Sequence, residues 1–65
     1  MADGSAHAEL STLQSQIEEL TERIVAVADR YRDTPDSAIT TELDGAERNL
    51  LTARRAVERA QRNLA

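Results

Sequence analysis

Apolar residues in the first half of the chain fall at Leu10, Leu13, Ile17, Leu20, Ile24, Val27 and Tyr31, in alternating steps of three and four. An α-helix brings residues at these spacings onto one face. The pattern therefore predicts an amphipathic helix with Leu10, Ile17, Ile24 and Tyr31 at heptad position a, and Leu13, Leu20 and Val27 at d. The same steps return through Ile39, Leu43, Ala46, Leu50, Ala53, Val57, Ala60 and Leu64. This predicts a second helix, in which three successive d positions are alanine.

Between the two patterns lie Asp33, Thr34 and Pro35. Proline biases the residue before it away from helical geometry and fits the first position of a new helix. Thr34 can cap that helix, and Asp36 suits the positive end of its dipole. The predicted organisation is a disordered segment 1–4, a helix 5–32, a turn 33–34 and a helix 35–64, with residues 5–65 forming one domain. Ser5 is taken as the start of the first helix, and Gly45 is expected to sit on the outward face of an unbroken second helix. A connection this short forces antiparallel packing. Pairs such as Tyr31 with Ile39, Leu20 with Leu50 and Ile17 with Ala53 all have numbers adding to 70. In that register Ile24, Ile17 and Leu10 meet Ala46, Ala53 and Ala60. The expected fold is all-α: an antiparallel two-helix coiled-coil hairpin with an alanine-rich seam.

Composition narrows the chemistry. The 65 residues contain no Cys, no Trp, no Phe and no Lys, and all 8 basic residues are Arg. Eleven of the 26 nominally hydrophobic residues are Ala, too little bulk for a thick core. A catalytic Cys or Lys is thus excluded, and the one histidine, His7, lies near the amino end. Ser5 and His7 would lack an orienting acid, an oxyanion hole and a pocket. Glu18, Glu19 and Glu22 cluster at outward positions with no Glu-x-x-His partner, which suits a solvated face better than a metal site. The two glycines are isolated, so no phosphate-cradling loop exists. No catalytic residue, metal ligand or cofactor is expected. The chain lacks the roughly 20-residue apolar run of a membrane span and reads as a cytoplasmic protein without a membrane role. Its Ala-rich, Arg-only composition suggests a GC-rich bacterial source.

Charge is distributed unevenly. Formal net charge is -4, yet Arg48, Arg54, Arg55, Arg59 and Arg62 crowd the second helix, with Arg48, Arg55 and Arg62 in an outward stripe. Arg48, Arg55, Arg59 and Arg62 are the candidate contacts for an anion or nucleic acid. Net acidity and the absence of stacking aromatics disfavour that reading. The first helix carries an opposing outward stripe of Glu19, Glu22, Asp29 and Asp33, and Arg30 is expected to reach Glu42 across the hairpin.

Val25, Ala28 and Leu51 fall outside the predicted seam and are the candidate surface for a partner or dimer. A lone hairpin of this size should be marginal, so a homodimeric four-helix bundle, or its equivalent with a protein partner, is expected. In architecture alone the chain resembles the small RNA-binding Rop proteins of plasmids, also short helical hairpins that dimerise into four-helix bundles. That resemblance implies RNA as an alternative ligand and brings no motif residues with it. The leading expectation is a noncatalytic interaction module, a small regulator or adaptor that self-associates or docks on a protein. RNA or nucleotide binding through the arginine stripe is the alternative.

Overall fold

The computed structural model describes residues 2–64, with side chains from Ser5 to Leu64. Helix α1 spans Ala2–Tyr31 and helix α2 spans Ala38–Arg62, and the two pack against each other as a hairpin. No strand occurs among the described residues. The expected all-α architecture is therefore present. The shape is a rod of 53 × 14 × 10 Å with a radius of gyration of 15.3 Å, against about 11 Å for a compact chain of this length. Helix α1 begins upstream of Ser5, so residues 2–4 belong to the helix rather than to a disordered segment. Met1 lies outside the described residues. Helix α2 runs unbroken through Gly45, as the unbroken heptad phase required.

The connection is longer than the two residues expected, running from Arg32 to Ser37. At the end of α1, Asp33 takes a left-handed conformation with φ 67°, which short polar side chains tolerate better than most. The amide and hydroxyl of Thr34 both donate to the Tyr31 carbonyl, so the last turn does not leave that oxygen orphaned. The Ser37 amide then donates to the Thr34 carbonyl at 3.0 Å, closing a turn with Pro35 at its second position, where its fixed φ belongs. The Thr34 hydroxyl accepts the Asp36 amide at 3.3 Å within this turn, but it does not cap α2, which is preceded by Ser37 and receives no side-chain capping bond. The next amides, of Ile39 and Thr40, still bond three residues back, to Asp36 and Ser37. Such tight bonds make the entry a 3₁₀-type turn. Regular α-helix is delayed to Ala38 for this reason.

The helices also face each other differently from the predicted seam. Leu13 and Leu20, expected between the helices, remain 40% and 47% exposed, and Ile39 is 37% exposed. The stripe of α1 that loses exposure runs through Leu10, Gln14, Ile17, Thr21, Ile24, Ala28 and Tyr31. Its steps are again four and three, but they mark positions a and e. On α2 the corresponding stripe is Thr40, Leu43, Glu47, Leu50, Arg54, Val57, Gln61 and Leu64. Each helix is rotated by part of a turn, and d is displaced to the side. The alanine column goes with it: Ala46 and Ala53 are half-buried and Ala60 is exposed. The deepest residue is Ala28, 1% exposed, followed by Thr40 at 9%.

Two features let the e positions enter the seam. Ala28 is small enough for close helix approach. Thr21 and Thr40 satisfy their hydroxyls on their own chain, donating to the Ile17 and Ser37 carbonyls at 2.7 Å each, so they need no partner from across the seam. Polar pairs then tie the two ends of the rod. At the open end, Gln14 donates to the Gln61 side chain, and Gln61 donates to the His7 carbonyl at 3.0 Å. Near the turn, Arg32 donates to Asp44 at 3.2 Å and to Asp29 at 3.3 Å. These bonds, that with Asp44 foremost, raise the Arg32 guanidinium further above its ordinary value. Midway, Arg54 lies 3.9 Å from Glu18, while its Nε is buried without a partner among the described residues.

Candidate interaction surface

Because both helices rotate in the same sense and run antiparallel, their two d rows emerge on one long side of the rod. Leu13, Leu20 and Val27 come from α1, and Ile39, Ala46, Ala53 and Ala60 come from α2. Large residues form a ridge on one helix, and alanines leave a shallow trough on the other. Near the turn this side opens into a groove of about 280 Å³ lined by Leu20, Arg23, Ile24, Val27 and Leu43. Four of the five are aliphatic. Exposed aliphatic side chains scattered singly mean little, whereas a contiguous row is a recognised mark of a contact surface.

The surface candidates from the sequence are distributed differently. Ala28 is enclosed between α1 and α2 at 1% exposure, where it has no face to offer a second molecule. Val25 and Leu51 are half-buried, on the opposite long side of the rod. They flank Ala28 rather than forming a free patch with it. The d rows were hidden from the sequence reading by being assigned to the seam itself. The signal that could have found them is the width of the apolar arc on α1, where Ala28 at e extends the a and d rows to three positions. One helix neighbour cannot cover that arc.

The arginine candidates are all solvent-facing: Arg48, Arg55, Arg59 and Arg62 are exposed along the outer side of α2. The guanidinium of Arg48 lies beside Gly45, its Nη2 3.8 Å from where a β-carbon would stand. Arg30 and Glu42, expected to pair across the hairpin, are both exposed, and the ion pairs that do span the hairpin among the described residues are Arg32, in the connection, with Asp44 and Arg54 with Glu18. At g positions Arg30 and Glu42 border the d-row side instead. Among the described residues no group of three His, Asp or Glu side chains is placed to hold a metal ion, and no helix is long and apolar enough to cross a membrane. Glu18, Glu19 and Glu22 are all exposed. The chain matches no protein-family model, no curated protein and no solved structure.

Proposed function

We propose that the chain is a noncatalytic protein–protein interaction module, a small helical hairpin that acts by docking its d-row side on another helical surface. The observation that carries this reading is the placement of Leu13, Leu20 and Ile39, which stay 37 to 47% exposed while polar Gln14, Thr21 and Gln61 are drawn between the helices. Water is the less favourable environment for those aliphatic groups, and a docked helix pair would remove them from it. A small regulator or adaptor is the role such a docking surface would serve. The arginine row of α2 supports a second reading, RNA or nucleotide binding, because Arg48, Arg55, Arg59 and Arg62 are all exposed on one helix. The acidic total and the lack of stacking side chains weigh against it.

Photo-crosslinking in native cells tests the interaction reading. A photoreactive residue at Leu20 should give a discrete protein adduct, while the same residue at Arg55, on the outer side, should not. Absence of any protein adduct from Leu20 would refute the reading.

A further inference from the structure

We infer that the occupant of the d-row side is a second copy of this chain, packed face to face and antiparallel, so that each hairpin's turn lies over the other's open end. This rests on the interaction reading above and specifies its partner.

Size is the first argument. The hairpin exposes 4866 Å², against about 4100 Å² for a compact monomer of its mass. A side of 53 × 14 Å has a footprint of roughly 700 Å², near the ~800 Å² per partner of a standard interface. A copy of the same rod covers that length without overhang, which a smaller partner would not do.

Charge is the second argument, and it selects the orientation. The turn end, residues 29–44, holds Asp29, Asp33, Asp36, Glu42 and Asp44 against Arg30 and Arg32, a balance of -3. The open end, residues 2–15 with 55–64, holds Arg55, Arg59 and Arg62 against Asp3, Glu9 and Glu58, a balance of 0. Parallel packing would stack two acidic turns, whereas antiparallel packing sets each acidic turn over a neutral open end. The pairing can be made residue-specific. A two-fold axis crossing the middle of the rod passes α1 near Leu20, with α1 against its own copy. Glu9 of one hairpin then faces Arg30 of the other, twice per dimer, and both residues are exposed g positions bordering the d row. On the α2 side the same axis sets Ala46 of one hairpin near Ala53 of the other and Ala60 near Ile39, and the small side chains there allow the backbones to approach.

Charge reversal is the test. The chain without substitutions should sediment as a dimer at micromolar concentration, and Leu20→Glu should make it monomeric. Glu9→Arg places a second guanidinium opposite Arg30 and should raise Kd by about tenfold, as should Arg30→Glu, which places a second carboxylate opposite Glu9. Mixing the two variants in equal amounts should restore dimerisation as a heterodimer, since in the mixed pair the two substituted positions face each other with opposite charges and the unsubstituted Arg30 of one chain faces the unsubstituted Glu9 of the other. Circular dichroism on each chain checks that the helices persist. A mixture no tighter than its components would overturn the antiparallel orientation, because in parallel packing Arg30 would face Glu42 and mixing would relieve only one of two contacts. Persistence of the dimer in Leu20→Glu would overturn the choice of face. A chain that stays monomeric at several hundred micromolar would overturn self-association altogether. If Leu20 nevertheless photo-crosslinks to a different protein in cells, the interaction reading stands without this inference.

Discussion

Replacing Ala28 by Leu separates the observed seam from the one the heptad pattern suggests. Ala28 is 1% exposed, the deepest residue of the hairpin, so three additional heavy atoms have no space unless the helices move apart. Overpacking of this kind costs about 1–3 kcal/mol. Ala60, by contrast, is exposed, and the same change there should lie within about 0.5 kcal/mol of neutral. For a domain of this size 1 kcal/mol corresponds to a shift of about 4–8 °C in Tm, so Ala28→Leu should melt roughly 10 °C earlier while Ala60→Leu hardly moves. The measurement is thermal unfolding by circular dichroism at 222 nm, with all chains diluted below the concentration at which they associate, because Ala60 borders the dimer contact and association would couple to Tm. Equal melting of the two variants, or a larger loss at Ala60, would refute the rotated seam and return the alanine column to the contact. A change in association with no loss of hairpin stability would instead place Ala28 on an outer surface.

Gly45→Ala should stabilise the protein by about 0.5–1 kcal/mol, read as a higher denaturation midpoint, because the helix continues through this position and the new methyl would meet only Arg48 at 3.8 Å, an ordinary contact. Asp33 has φ 67°, so Asp33→Gly should be neutral or stabilising, whereas Asp33→Val should cost on the order of 1–2 kcal/mol; equal melts of the two variants would mean the left-handed turn is not kept in solution. Fluorescence titration at physiological salt should detect weak or no binding of RNA. Tight binding abolished by changing Arg48, Arg55 and Arg62 to Gln would promote the arginine row over the apolar side as the working surface.

The elements were legible in the sequence because each carries two independent signals. Heptad spacing marks both helices, and Pro35 with its neighbours marks the break between them, which leaves antiparallel packing as the short-range solution. The rotation of the helices was not legible, since a heptad reading finds an apolar arc without saying which flank of it meets the neighbour. Gln14, Thr21 and Thr40 count as polar in such a reading. Yet the threonine hydroxyls are satisfied within their own chain, and Gln14 finds Gln61 across the seam. Turn length was misjudged for a related reason. Pro35 occupies a turn closed by bonds spanning three residues, and sequence does not distinguish such a turn from the first turn of an α-helix. The candidate surface suffered from both, because residues assigned to the seam could not also be counted as exposed.

Salt provides a way to part the two forces invoked for the dimer. Contact along Leu13, Leu20, Val27 and Ile39 is apolar and should not weaken as salt is added. Glu9 and Arg30 are exposed, so their attraction is screened as the Debye length shrinks from about 10 Å at 0.1 M to about 3 Å at 1 M. In 1 M sodium chloride the unsubstituted chain should therefore remain dimeric, while the Glu9→Arg and Arg30→Glu variants each regain most of their lost affinity. The advantage of mixing them should fade in parallel, because the repulsion that mixing relieves is no longer present. Sedimentation at 0.05 and 1 M measures both quantities on the same samples. If the dimer dissociates at high salt, charge rather than the apolar side holds it together. The exposed leucines would then have been given the wrong part.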